Sequence, residues 1–252
     1  HLRAIPGIIV RTVEYEETTR PLPAELIQDV NIHLCAYPPA NFDDMRAIKL
    51  IQICSSGYSQ LFDLGLPAKG VRACNGRGEF DVPIAEWILA MMVNLARNLR
   101  GMIRNQEAGV WDRSASFQNE IRGKTVGFWG YGGLAREAAR LAKAFGMNVH
   151  VLSRAGVGPR ENAYTVPGSG DPSGTLPNRV YITGEEFAFL KGLDFLVVAM
   201  PLTKTTEGRI GEAELRALPP SAFILNPARG PIIQQEALLR ALREDWIAGA
   251  AL

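Results

Sequence analysis

The chain has no long apolar run. The longest uninterrupted one, Trp87 to Val93, falls far short of the ~20 residues that a helical membrane span requires, so no membrane partner is expected. It also has no excess of charge of either sign: 27 Lys and Arg stand against 26 Asp and Glu, for a net charge of +1. No basic stripe interleaves with aromatics and no acidic tail is present, which argues against nucleic acid or another polyanion as partner. The first thirty residues carry no signal-peptide pattern. Cysteine is scarce. Cys35, Cys54 and Cys74 lack metal-ligand spacing, so no metal site is expected, and their strand-like surroundings point to reduced, buried thiols in a cytoplasmic protein. Histidine is equally scarce, with only His1, His33 and His150, which disfavours a cysteine nucleophile that needs a base beside it.

What is present is enough for one large or two modest domains, 252 residues of near-average globular composition. In the first third the strand-like runs "GIIVRTV", "NIHLCAY", "LIQICSSG" and "VRACN" are separated by "PLPAELIQDV", "DDMRAIKL" and "QLFDLGLPAKG". That alternation predicts βα units on a parallel sheet. A helical pattern then runs from Asp81 to Trp111, apolar on most sides through its first half. Such a helix needs cover from more than one neighbour. Beyond it, buried strands are expected over Thr125–Gly130, Asn148–Ser153, Asp194–Met200 and Ala222–Asn226, with helices over Ala135–Phe145, Glu185–Lys191 and Gln235–Glu244. Thr183 and Glu186 have the spacing of a capping box. Ala155–Val180 is dense in Gly and Pro and cannot hold a regular element; it reads as a mobile surface insertion, the alternative being a lid in which Arg160 adds to a phosphate site.

"GKTVGFWGYGGLAREAARLAKAFG" is the most informative stretch. A strand runs into Gly130-Tyr131-Gly132-Gly133-Leu134-Ala135 and then into a helix, the G-x-G-x-x-G/A arrangement that opens a dinucleotide-binding βαβ unit. Gly130 permits the tight turn, Gly132 lets a pyrophosphate approach the backbone, and small Ala135 lets helix and strand pack closely. The amides of the helix start would hold the phosphates. An NAD enzyme places an acidic residue about 20 positions on, for the ribose hydroxyls. Here Ser153 and Arg154 stand there. A guanidinium fork suits a 2′-phosphate, so NADP(H) is favoured over NAD(H), with Arg154 lying across the adenine face as the other reading.

With these pieces placed, the chain resembles the D-isomer-specific 2-hydroxyacid dehydrogenases, the family of phosphoglycerate dehydrogenase, glyoxylate/hydroxypyruvate reductase and formate dehydrogenase. The likeness runs from about Leu50 to Leu252 through "SSGYSQLFD", "VPIAEWILAMMVNLAR", "GKTVGFWGYGGLAREAARLAKAFGM", "AMPLTKTTEGRIG" and "LNPARGPIIQQEALLRAL", in family order. It implies an α/β protein: a Rossmann-type doubly wound parallel sheet over 77–252 and a smaller, flavodoxin-like substrate domain over 1–76, with the active site in the cleft between them. It implies an oxidoreductase that moves a hydride between NAD(P)H and a small 2-keto or 2-hydroxy acid of D configuration. A non-catalytic, nucleotide-sensing protein that kept the dehydrogenase fold is the rival reading.

The resemblance also distributes roles. Arg229 of "NPARG" would bind the acid's carboxylate and carbonyl oxygen, and the "SSGY" loop would grip the carboxylate through backbone amides near Ser56 and Gly57, with Tyr58 where a smaller apolar residue is usual. Asn75 matches a substrate-binding asparagine. Met200, Pro201 and Thr206, with Asn226, Pro227 and Ala228, match segments lining the nicotinamide. Residues 81–111 would build a homodimer. The family's acid/base histidine and its glutamate follow a "GAALDV" strand, so the chain reads as C-terminally truncated, with both domains incomplete.

Overall fold

In the computed structural model, which describes residues 2–114, 117, 119–161 and 163–252, the chain divides into two compact units, His1–Arg77 and Gly78–Leu252.

The first unit is organised by a parallel sheet of β1 (Ile32–Cys35), β2 (Leu50–Ile53) and β3 (Arg72–Cys74), in chain order. Ile51 and Ile53 of central β2 are fully buried, against Ile27, Phe42, Leu66 and Val71. Three expectations fail here. The run "GIIVRTV" forms no strand: Ile8 and Ile9 are exposed, no sheet partner lies beside them among the described residues, and Arg11 is tied instead to Leu26 O and the Asp29 carboxylate. The connecting helices shrink to single turns, Ala24–Ile27 (α1), Phe42–Asp44 and Ser59–Leu61. After the last of these, Asp63, Gly65 and Gly70 have positive φ, which a right-handed helix cannot carry. Finally, only Cys35 is even half-buried, while Cys54, just past the end of β2, and Cys74 are exposed. Burial, and then the neighbouring Cys54, push the Cys35 thiol up to about 12.

The second unit is a six-stranded, wholly parallel sheet of β4 (Thr125–Trp129), β5 (Asn148–Ser153), β6 (Arg179–Ile182), β7 (Phe195–Val198), β8 (Phe223–Leu225) and β9 (Gly249–Ala251). Its spatial order is β6-β5-β4-β7-β8-β9. Chain direction therefore reverses its march across the sheet between β4 and β7, the doubly wound arrangement in which ligands bind beyond the strands' carboxyl ends. The apolar runs expected as strands are the central four. β9 falls where the resemblance put the start of a "GAALDV" strand, whereas short β6 and helix α6 (Glu212–Ala217) lie where no element was expected.

The long helical pattern is two helices, α2 (Asp81–Arg97) and α3 (Leu99–Glu107). Asn98 breaks it with φ 48°, and its Oδ1 accepts the Gly101 amide. α2 buries Ala85, Ile88, Leu89 and Met92 in the same core as α4 (Gly133–Ala144), while Trp87 and Val93 are covered only in part. No helix among the described residues is long and apolar enough to cross a membrane. On the other side, α5 (Glu186–Leu190) begins without a cap from Thr183; the Glu186 carboxylate accepts the Gly184 amide instead, one residue closer than the capping-box spacing assumed.

α5 explains a glycine in mid-strand. A Cβ on Gly127 would stand 2.7 Å from Leu193 Cδ2 and 2.8 Å from Phe189 Cζ, both fully packed in the core. Gly127→Ala is expected to destabilise the chain by about 1–3 kcal/mol through overpacking, read as a lower urea midpoint; an unchanged midpoint would mean that α5 is not seated on β4.

Candidate functional site

The reversal point of the large sheet carries the glycine loop. β4 ends at Trp129, and Gly130 follows with φ +101°; a Cβ there would lie 2.7 Å from Ala199 O and 2.9 Å from Met200 N, at the end of β7. No side chain fits between the two strand ends, so the turn is made by glycine. Two residues on, a Cβ at Gly132 would meet nothing within 4 Å: that face of the backbone is open. Ala135 is fully buried between α4 and the sheet, where a larger residue would push the helix away. Gly132 is the N-cap of α4 and offers no side-chain acceptor to its first amides. A backbone face open at Gly132, leading into a positively polarised helix end whose N-cap residue supplies no acceptor, is a receptive place for an anion. Tyr131 and Leu134 are half-buried beside it.

Around the loop lies a buried polar network. Arg136, 7% exposed, donates to Tyr131 O, to Asp171 O and to Gly158 O, with its guanidinium 5.0 Å over the Tyr131 ring. The Tyr131 hydroxyl donates to Asp171 Oδ2 at 2.8 Å, and the Thr175 and Leu176 amides donate to the same carboxylate. Burial, reinforced by Asp171, pushes the Tyr131 phenol far up, so it stays a donor. Buried Glu137 accepts the Gly170 amide and pairs with Arg140; burial acts to raise its carboxyl, and these partners outweigh it and hold it below the usual range. The Gly/Pro-rich segment is therefore not a loose insertion. Its described residues lack regular structure until Arg179 opens β6, as its composition required, but α4 pins it against the glycine loop. Arg160 of this segment and Asp81 of α2 both reach Gly133.

The remaining residues of the second unit stand at the strands' carboxyl ends. Ser153 closes β5, its hydroxyl donating to Gly156 O at 2.5 Å, and Arg154 beyond it is exposed. Met200 packs its side chain into the same core as Trp129, Val198 and Ile210, so it is its backbone that it presents at the rim. Pro201 is exposed, and Thr206 closes the loop after it, donating to Pro201 O at 2.6 Å and accepting the Thr203 amide at 2.7 Å. Asn226 ends β8 with its side chain buried and doubly engaged: Nδ2 donates to Arg229 O at 2.9 Å, and Oδ1 accepts the Ala228 amide at 3.1 Å. This brace shapes Pro227 and Ala228, both half-buried, and delivers Arg229 exposed and extended, its NH1 on Ala228 O at 2.7 Å.

In the first unit, the loop after β2 is laced to the loop after β3. Ser56 Oγ donates to Gly76 O at 2.9 Å, and Asn75 Nδ2 donates to Ser56 O at 2.7 Å. Asn75 thus holds the loop in shape. Gly57 is half-buried at its centre, while the Tyr58 ring is exposed and edge-on to Phe62 at 5.8 Å. His150 is a packed strand residue, its ring 5.8 Å from that of Tyr181, and burial, then Arg179, hold its pKa below the ordinary value. Among the described residues no cluster of His, Cys, Asp or Glu could hold a metal ion.

Comparison with known proteins agrees with this layout. The model of the D-isomer specific 2-hydroxyacid dehydrogenase NAD binding domain matches residues 89–171 and 175–252. A glyoxylate reductase of Thermococcus gammatolerans is 30% identical over 218 residues, covering 84% of this chain and 61% of its own length, so the chain spans about three fifths of that relative. Among solved structures, D-lactate dehydrogenase from Aquifex aeolicus, complexed with NAD and lactic acid, superposes with a TM-score of 0.75 at 21% identity, over 91% of this chain and 66% of that one. A D-isomer specific 2-hydroxyacid dehydrogenase from Xanthobacter autotrophicus, in complex with NADPH and MES, does so with a TM-score of 0.71 at 24% identity, over 98% and 73%. At these identities the likeness is one of fold.

The Arg136–Tyr131–Asp171 network was not recognised from the sequence; its only signal is a charged pair, Arg136-Glu137, on a helix face otherwise made of alanines. Asp171→Ala removes the acceptor of a half-buried phenol and two amides, at a cost of about 1–3 kcal/mol for each group left unsatisfied. The expected outcome is a lower thermal midpoint together with new tryptic cleavage within residues 155–178; an unaltered digestion pattern would mean that the network does not anchor the segment.

Proposed function

Because the chain belongs to the D-isomer specific 2-hydroxyacid dehydrogenase family, we propose that it forms part of an oxidoreductase that interconverts small 2-keto acids and D-2-hydroxy acids with a nicotinamide dinucleotide. The observation that carries this reading is the open backbone face at Gly132 leading into the start of α4, where the N-cap residue supplies no acceptor. The residues there fit a dinucleotide: Gly130 makes the turn, the amides following Gly132 meet the pyrophosphate, and buried Ala135 keeps the helix close. When bound, the nicotinamide supplies the hydride chemistry that no side chain can.

Each remaining residue then has work that its chemistry permits. The guanidinium fork of Arg229 takes the carboxylate and the carbonyl oxygen of the acid, holds them in one orientation and stabilises negative charge growing on that oxygen. The Asn226 brace sets where the fork starts. Amides of the Ser56–Gly57 loop, kept in shape by Asn75, add to the carboxylate grip, and Tyr58 limits the size of the acid. The rims formed by Met200, Pro201, Thr206, Pro227 and Ala228 position the nicotinamide end. Ser153 and Arg154 face the adenosine ribose and favour NADP(H). A second copy of the chain docks on the 81–111 helices, where Leu99 and Ile103 are exposed, and the protein works in the cytoplasm.

In the protein that contains this chain, Arg229→Ala is expected to lower kcat/KM for reduction of glyoxylate and hydroxypyruvate by more than a hundred-fold; a loss under five-fold would contradict the role given to the fork. For the cofactor, parallel titrations should show NADPH binding more tightly than NADH, and tenfold tighter NADH would reverse the assignment of Arg154.

A further inference from the structure

Asp81 opens α2, and the start of α4 lies against it: a side chain at Gly133 would overlap both the Asp81 carboxylate and the Arg160 guanidinium. The two charged groups are 4.0 Å apart and well shielded, with side chains 17% and 11% exposed. Their placement is built from both sides. Arg160 sits two residues beyond Gly158, whose carbonyl is gripped by Arg136, and its own amide donates to Pro172 O at 2.9 Å, so this part of the chain is pinned at two points. Asp81 is on the first turn of a 17-residue helix that is packed along α4. The result is a carboxylate over the positive end of a twelve-residue helix whose N-cap offers no acceptor of its own, with a cation beside it.

Those are the ingredients of a phosphate site with the phosphate's place taken. We propose that Asp81 is a resident stand-in for the dinucleotide's pyrophosphate: the incoming nucleotide displaces the carboxylate from Gly133 and takes over Arg160. This rests on the dinucleotide-binding reading above. A carboxylate and a diphosphate cannot share the space at Gly133 without like-charge repulsion, so Asp81 sets a threshold on binding. Displacing the carboxylate needs only its side chain to turn away from Gly133, while the backbone that carries Arg160 stays pinned at Gly158 and Pro172. The alternative role for Asp81, stabilising the start of α2 as an acidic residue in the first turn, predicts the opposite response to its neutralisation.

The test is titration of the full chain with NADPH and with NADH by calorimetry, alongside thermal midpoints. Asp81→Asn keeps the shape and removes the charge, and should tighten binding at least five-fold; Asp81→Ser, which keeps a short polar group at the start of α2, should do the same. Arg160→Gln should weaken binding at least five-fold. If the wild type binds and both Asp81 variants bind equally well or more weakly, with lowered midpoints, the pair is a structural strut and the proposal is overturned while the dinucleotide site stands. If neither the wild type nor the Asp81 variants bind any dinucleotide, both fall together.

Discussion

The fold and the candidate site both depend on how closely two strand ends approach. β4 and β7 are hydrogen-bonded neighbours, and the chain must leave β4 in the one direction that β7 does not block. Gly130 accomplishes this with a left-handed backbone pressed against Ala199 O and Met200 N. Any side chain there would force the strands apart or turn the loop elsewhere, and α4 would no longer begin beside the sheet's carboxyl edge. From this contact follow the open face at Gly132, the burial of Ala135 and the direction in which the first amides of α4 point. An anion site is thus a by-product of solving a packing problem with glycine and alanine.

A loop of that kind needs support, and here it comes from a segment with no regular structure. Arg136 is long enough to reach three carbonyls of the surrounding chain from the first full turn of α4. Asp171 gathers a phenol and two amides in return. Buried charges are tolerated because every one of these groups is paired. The cost of ordering a Gly- and Pro-rich stretch is offset by hydrogen bonds made out of water, and the stretch brings Arg160 to the same helix end as Asp81. Two other loops follow the same plan, an amide side chain closing each one: Asn226 behind Arg229 and Asn75 behind Ser56.

What the sequence made legible was whatever burial dictates locally. The four central strands of the large sheet are continuous apolar runs, because both their faces are covered, and they fall where those runs predict. The glycine loop announced itself by its spacing between an apolar strand run and a helical pattern. Less was legible in the first unit, where "GIIVRTV" has strand composition but no neighbour to bond, and where positive φ at Asp63, Gly65 and Gly70 stops a helix that hydrophobic patterning allowed. The break at Asn98 is likewise a single residue's choice, made by a side chain that caps its own next turn. The polar network was hidden for a different reason: Arg136 and Asp171 are 35 residues apart, and nothing in either residue's neighbourhood names the other. Composition read 155–180 as loose because Gly and Pro report on local regularity and are silent about long-range anchoring.

The central claim is that the backbone between Gly130 and Arg136 receives the diphosphate of a nicotinamide dinucleotide. Amide hydrogen exchange with and without saturating NADPH tests it directly. Slowed exchange centred on the amides of residues 132–136, extending to the pinned stretch around Arg160, is the predicted result. Saturable binding with no slowing at residues 132–136, or with protection confined to another part of the chain, would contradict it.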